Sequence, residues 1–482
     1  MLFNSFSFLA FFTAVVIVYY TVPHRWRWAL LLAASTYFYA ALNPRYPLLL
    51  FGVALVVYGA GLALERASGA KRQLILAVGV VVPLSMLFLF KYYDFFVRSV
   101  EAVAASYRPA GAAPLFPPLG IVVAAGLSFY TFSCISYLVD VYAGRLPAER
   151  HAGRFALYIA FFPKLLAGPI ERAKPFLSQL SERVVFDGDR ISLGLQLMLW
   201  GLVKKVVIAD RLATFVDAAY GQPAFSSPAD LVIATYFFAF QLYCDFSGYT
   251  DIAIGAAKVL GFDLMENFRR PYLSTSVREF WNQRWHLSLS SWFRDYMYIP
   301  LGGSRCSRLR MLVNVTAVFL ASGLWHGANW TFVIWGGLNG LYLVSSVMTA
   351  GLRERVLARI RPPRVLRRLL SGVFTFHLIL VTWVFFRASS LSDAATVLSR
   401  IGGSLSSLPV LLQDRLGEWE VISAVTLVVV LLVVEVLDEG RSFLERVRAQ
   451  PLFMRWAVYY ALLLALVVMG RWDFQQFVYM QF

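Results

Sequence analysis

Charge is scarce in this sequence, and acid scarcer than base: 15% of its 482 residues are charged, with 28 Asp and Glu against 44 Lys and Arg. Soluble domains carry about 25% charged and about 45–50% apolar residues, whereas this chain is 59% hydrophobic and 16% aromatic, so its surface calls for a solvent other than water. Cysteine is nearly absent too. Cys134, Cys244 and Cys306 lie far apart, have no metal-ligand spacing and are odd in number, which argues against a disulfide framework and a metal site. No G-x-S-x-G elbow, P-loop, H-E-x-x-H or dinucleotide fingerprint occurs, so hydrolase, ATPase, metalloprotease and oxidoreductase readings have no motif behind them. Neither a metal nor a permanently bound cofactor is expected. With no repeat, low-complexity stretch or long linker, residues 1–482 read as one membrane-embedded domain, its site region at about 120–350.

What the sequence has is apolar runs. A bilayer core about 30 Å thick takes roughly 20 apolar residues per helix, because only helices or closed barrels satisfy the backbone in lipid. Candidate spans fall near 5–22, 27–43, 47–64, 73–91, 119–143, 154–170, 191–209, 229–260, 310–325, 329–350, 371–388, 419–437 and 453–470. The 154–170 run reads as re-entrant and 229–260 as one long or broken helix. The expected fold is therefore all-α and polytopic, with about 11 to 13 membrane helices plus interfacial ones. Residues 5–22 lack a basic lead and a small-residue cleavage site, and are read as a retained first span rather than a secretory signal.

The net charge of +16 is distributed as topology, not as a nucleic-acid surface, since no stacking platform or groove-reading motif accompanies it. Arg25 and Arg27, then Arg66, Lys71 and Arg72, then Arg145, Arg150 and Arg154 fill alternate gaps, while the gap between the first two groups offers only Arg45. A later gap sets Arg353, Arg355, Arg359, Arg361, Arg364, Arg367 and Arg368 against Glu354 alone. By the positive-inside rule these gaps face the cytoplasm and both termini lie outside, in the periplasm of a bacterial inner membrane. Residues 389–418 and the tail 471–482, rich in exposed apolar and aromatic residues, then become docking surfaces for outside partners or plain interfacial anchors.

One stretch, 262–308, interleaves charged and aromatic residues without any long apolar window, so it lies at the interface or is buried in protein. It holds His286, crowded by Arg284, Ser288, Arg294 and Asp295. The tryptophans around it fit an aromatic belt, but the crowded polar set fits a wall that holds a charged donor or orients a base. His326 sits in Ser322-Gly323-Leu324-Trp325-His326-Gly327-Ala328-Asn329-Trp330, at a joint between two spans whose glycines allow close approach. An imidazole titrates near neutrality and suits a general base in acyl transfer; a buried structural histidine is the other reading. His24 and His151 lie among arginines in short gaps, and His377 lies within an apolar helix, where a carbonyl partner suffices. Asp245, Tyr249 and Asp251 fall inside an apolar run. Carboxylates there either pair with arginines of 262–308 or line a hydrated tunnel.

Together these motifs resemble the membrane-bound O-acyltransferase family, in particular its bacterial alginate O-acetyltransferase branch. The resemblance rests on Met1-Leu2-Phe3-Asn4-Ser5, Leu127-Ser128-Phe129-Tyr130-Thr131-Phe132, Ser136–Tyr142, Phe161–Ile170, Asp245-Phe246-Ser247-Gly248-Tyr249-Thr250-Asp251, Met265-Glu266-Asn267-Phe268, the two histidine motifs and Phe477–Phe482. It implies a many-helix fold in which a funnel meets a tunnel, with His326 as the catalytic residue and His286 as the second site histidine. Asp245, Tyr249, Asp251, Arg284, Ser288, Arg294, Asp295, Trp325 and Asn329 would line the substrate path. The family's run F-W-R-R-W-H appears here one residue longer and one arginine short, as Phe280-Trp281-Asn282-Gln283-Arg284-Trp285-His286. In an α-helix that extra residue turns Glu279 and Phe280 by about 100° relative to His286.

The implied chemistry moves an acetyl group from a cytoplasmic acyl thioester, acetyl-CoA, to the far side of the membrane. There it serves O-acetylation of an exported polysaccharide such as alginate, directly or through a periplasmic acetyltransferase. Partners would be the lipid bilayer, the thioester donor and the polysaccharide-synthesis machinery, with no nucleic acid. The rival is a transporter or export channel without covalent chemistry. That reading asks for paired inverted repeats with broken helices, and none is seen in the sequence.

Overall fold

The structure, a computed structural model, describes residues 1–108, 113–404, 409, 413, 415–439, 442–472, 477 and 478. Parts of both expected docking segments, in 405–414 and 473–482, lie outside the described residues. Among the described residues every regular element is helical, and nine helices are long and apolar enough to cross a membrane. The chain divides into two compact units, residues 1–188 with 257–264, and residues 189–256 with 265–482.

In the first unit, α1 (Phe6–Thr21), α2 (His24–Ala40), α3 (Tyr46–Arg66) and α4 (Gly69–Leu87) follow the expected runs. Ser5 starts α1 by accepting the Phe8 amide, but α1 and α2 are one turn short of a full crossing. The expected run 119–143 yields a helix only from Leu127, α5 (Leu127–Tyr142). Gly126 precedes it at φ 81°, and a Cβ there would stand 2.4 Å from the Leu165 carbonyl oxygen, so glycine alone permits this start. The run expected to be re-entrant breaks at Phe161 into α6 (Ala152–Ala160) and a single turn, Phe162–Leu165, with buried Lys164 resting over the Tyr158 ring at 4.4 Å.

The second unit carries the site. Its long elements are α7 (Gly188–Leu202), continued by a π-helical stretch Val203–Ala209, then α8 (Asp210–Gly221) and α9 (Pro228–Val259), the last unbroken over 32 residues. After the polar stretch come α10 (Leu287–Phe293), α11 (Arg308–His326), α12 (Trp330–Met348), α13 (Arg364–Arg387), α14 (Trp419–Asp438) and α15 (Leu452–Met469). Helices in lipid gain no hydrophobic energy from one another, so close approach through small residues replaces it. α11 and α12 do this. A Cβ on Gly323 would stand 2.3 Å from the Phe332 carbonyl oxygen, and one on Gly336 2.3 Å from that of Phe319. The two backbones touch, and the joint between them holds His326.

Candidate active site

The polar stretch is ordered by its own backbone. Residues 267–270 and 284–288 run side by side, the Arg269 amide donating to the Arg284 carbonyl at 2.8 Å and the Leu287 amide to the Asn267 carbonyl at 3.0 Å. Asn267 adds its side chain, whose Oδ1 accepts from the Ser288 amide at 3.2 Å and the Ser288 hydroxyl at 3.0 Å. Arg284 binds this clasp from below. Its guanidinium donates to Glu279 at 2.7 Å, to the Arg270 carbonyl at 3.2 Å and to Glu439 at 3.3 Å. The turn before it, Phe280–Arg284, is a π turn closed by the Trp285 amide on the Phe280 carbonyl at 2.8 Å. A π turn holds one residue more than an α turn, so the seven-residue run Phe280–His286 keeps Phe280 and Trp285 stacked at 5.3 Å instead of rotating them apart.

His286 emerges from this clasp at φ 44° and ψ 55°, a left-handed conformation that costs an ordinary residue about 1–2 kcal/mol and that His tolerates better than most. Its ring is fully buried, edge-on to Phe246 at 4.7 Å. Burial pushes the imidazole down to about 3, so it is uncharged at neutral pH.

His326 is the last residue of α11 and 3% exposed. Its ring centroid is 6.4 Å from that of His286, 4.9 Å from Trp325, 4.9 Å from Trp335 and 5.5 Å from Phe386. Gly327 lets the chain turn here, because a Cβ would stand 2.2 Å from the Phe332 ring. Asn329 then starts α12, its Oδ1 accepting the Thr331 amide at 3.1 Å and its Nδ2 donating to the Ser389 carbonyl at 3.0 Å.

A cavity of about 930 Å³ opens beside the clasp. Arg269, Arg270, Arg278, Arg284 and Arg294 line it with Glu439, and its apolar wall includes Val315, Phe319 and Val344. It reaches Ser322, one helical turn from His326, and Trp281, but neither histidine lines it. Contacts at the two ends of α13 fix which side it faces. At the start of α13, Arg368 and Arg284 both bond Glu439, at 2.5 and 3.3 Å. At the other end, Arg387 pairs with Asp217 at 2.6 Å and Ser389 receives Asn329. The residues Glu439, Arg284, His286, His326, Asn329 and Ser389 therefore lead from one end of α13 to the other, with His326 beside Phe386 in its last turn.

The expected site residues divide accordingly. His286, His326 and Trp325 come together, and Arg284 and Arg294 line the cavity, Arg294 paired with Asp295 at 2.8 Å. Ser288 is buried on Asn267 and Asn329 caps a helix, so these two hold backbone in place. Asp245 and Asp251 do not meet the arginines of 262–308. Lys204 pairs with Asp251 at 2.5 Å and with the Ser247 hydroxyl at 3.0 Å, and Lys205 with Asp245 at 2.6 Å and Asp210 at 2.8 Å. The other Asp245 oxygen accepts the Val478 amide at 2.7 Å, and Tyr249 stands edge-on to Phe477 at 4.8 Å. Both lysines sit in the π-helical stretch after α7. There the run 191–209 is so apolar that its two cations passed as the edge of a span. Asn267, Glu279 and Glu439 were missed as well, because a clasp closed by backbone hydrogen bonds has no periodicity. Among the other histidines, His377 bonds Tyr236 at 2.7 Å and the Val373 carbonyl at 2.8 Å, and His151 caps α6.

Apolar helices long enough to cross a membrane, with two buried histidines near a basic cavity, describe a polytopic membrane protein with a candidate site inside it. The profile of the membrane-bound O-acyltransferase family matches residues 143–391. The chain is 42% identical over 401 residues to a probable alginate O-acetylase AlgI of Pseudomonas aeruginosa, covering 82% of this chain and 73% of that protein. It is 34% identical over 400 residues to a peptidoglycan O-acetyltransferase of Helicobacter pylori, covering 77% and 73%. Over 234 residues it is 29% identical to a teichoic acid D-alanyltransferase of Bacillus subtilis, covering 46% and 58%. The chain belongs to the membrane-bound O-acyltransferase family, and it is a multi-pass O-acyltransferase.

Proposed function

We propose that this protein takes an acetyl group from acetyl-CoA on the cytoplasmic side and delivers it outside for O-acetylation of an exported polysaccharide such as alginate. The acceptor is the glycan itself or a periplasmic partner acetyltransferase, and the membrane is a bacterial inner membrane with both chain termini outside. The observation that carries this reading is the cavity. Its five arginines suit the phosphates of a CoA donor, and its inner end lies one helical turn from His326. The mouth shares its side with the arginine-rich start of α13, which the positive-inside rule assigns to the cytoplasm. The resemblance to a protein named for alginate supports the choice of polymer.

In the reaction the acceptor hydroxyl loses its proton to His326 as its oxygen attacks the thioester carbonyl. The new C–O bond forms as the C–S bond breaks, and the proton passes to the leaving thiolate. Neutral His286, 6.4 Å away, shapes the site without competing for the proton. General-base catalysis contributes about 10²–10⁴-fold, so His326→Ala is expected to abolish polymer acetylation while polymer export continues. Export lost with acetylation intact overturns the reading in favour of a channel. Acetylation equal to that of the unchanged chain removes His326 from the chemistry.

A further inference from the structure

Trp281 has two neighbourhoods. On one side it lines the arginine-mouthed cavity. On the other its ring stands edge-on to Trp335 at 5.5 Å, and Trp335 in turn packs edge-on against His326 at 4.9 Å. The line from the cavity to the imidazole through these rings crosses Trp281 first and Trp335 second. The ring is fixed by one polar contact: its Nε1 donates to the Asn339 Oδ1 at 3.0 Å.

Asn339 is an unusual residue for its place. It lies within α12, a candidate membrane helix, and is fully buried, where an amide is costly to place unless its polar atoms are satisfied. It is satisfied at both ends. Its Oδ1 takes the Trp281 indole and its Nδ2 donates to the Trp335 carbonyl at 2.8 Å. The same amide thus fixes the tryptophan that lines the cavity to the backbone of the tryptophan that packs on His326. Gly336 and Gly340 flank it, and the former lets α12 lie against the Phe319 backbone, so the amide is carried on a helix that has little room to shift. Phe319, also part of the cavity wall, meets Trp281 at 5.8 Å and closes the partition from α11.

We propose that Asn339 is a positioning residue that pins Trp281 against Trp335, so that the two rings form a partition between the cavity and His326 and shield the imidazole from water until an occupant of the cavity displaces them. This rests on the reading of His326 given above, but it concerns access and not the identity of the donor. A shielded base matters for an acyltransferase because water competes with the acceptor hydroxyl for the same thioester.

The test reads access without needing turnover. The full chain, reconstituted in nanodiscs, is treated with diethylpyrocarbonate, and the labelling rate of each histidine is followed by mass spectrometry, with exposed His151 as the internal reference. In the unchanged chain His326 is expected to label slowly. Trp281→Phe keeps a ring but removes the indole donor, and Asn339→Leu removes the acceptor. Each is expected to speed labelling of His326 severalfold relative to His151, and the double variant no more than either single, because one hydrogen bond is removed in all three. A His326 rate unchanged in both singles overturns the proposal, as does a double variant in which the two effects multiply. Equal acceleration of His377, carried on α13 and bonded to Tyr236, marks general loosening and overturns it too. The His326→Ala acetylation assay fails or succeeds independently of these rates.

Discussion

His286 is one of three non-glycine residues held at positive φ among those described, and the clasp around it keeps it there. Asn occupies the left-handed region readily and Val does not. His286→Asn is therefore expected to melt close to the unchanged chain while losing acetylation, and His286→Val to lose about 1–2 kcal/mol as well. Thermal unfolding and polymer acetylation measured side by side check this; if both variants melt alike, the backbone at 286 is not under the stated constraint. Lys205 presents a different case. It is 1% exposed and neutralises two carboxylates, so Lys205→Met strands both of them at a cost of about 3–5 kcal/mol. The expected result is loss of folded protein in detergent chromatography, with partial recovery on adding Asp245→Asn. Neither lysine was legible in the sequence as the partner of Asp245 or Asp251, because pairing across 40 positions or more leaves no local pattern, whereas those carboxylates stood out against their apolar run.

At the scale of elements, long apolar helices announced themselves, and α3, α4, α9, α13 and α14 lie where the runs put them. Their breaks did not. Gly126, the turn at Phe161 and the π turn at Phe280–Arg284 are each decided by a neighbour across the fold, or by a hydrogen bond to the fifth residue that sequence period does not encode. The contact of α11 with α12 offers a graded test: Gly336→Ala drives a methyl into the Phe319 carbonyl, whereas Gly337→Ala meets only the Leu320 side chain, at 3.6 Å. The first is expected to destabilise the protein and depress activity, the second to be nearly neutral, as read by melting and acetylation. The clasp 267–288 should respond to acid. Burial works against ionisation of Glu279 and Glu439, but hydrogen bonds from Thr275 and Arg284 to the first, and from Arg284 and Arg368 to the second, hold both below the usual carboxylate range. Groups depressed in the folded state stabilise it above their unfolded value of about 4.3, and that contribution is lost as pH falls through the folded value. Amide exchange protection at Arg269 and Leu287 is expected to hold from neutrality to about pH 5 and to fall below about pH 4; protection that is flat with pH removes the carboxylates from the clasp.

For the whole molecule, the arginines of the cavity mouth outnumber its one acid five to one, so binding of an anionic donor should weaken with salt. Screening shortens from about 30 Å at 0.01 M to about 8 Å at 0.15 M, and the KM for acetyl-CoA is expected to rise across that range with kcat little changed. A KM indifferent to salt places the phosphates elsewhere. The resemblance pointed to an acyl-transfer reaction and a funnel, and 262–308 stood out as a polar wall, but Glu439 joins the cavity from far along the chain and left no local signal.

The buried pairs Lys204–Asp251 and Lys205–Asp245 also bear on biogenesis. A lone Lys or Asp at the centre of a membrane helix costs the inserting segment about 2.5–3.5 kcal/mol. The lysines are synthesised first; Asp210 follows Lys205 within α8, but Asp245 and Asp251 arrive only with α9, so the π-helical stretch and α9 gain by leaving the translocon as a pair. A ribosome stalled between them leaves Lys204 waiting for its counter-ion and Lys205 with one of its two.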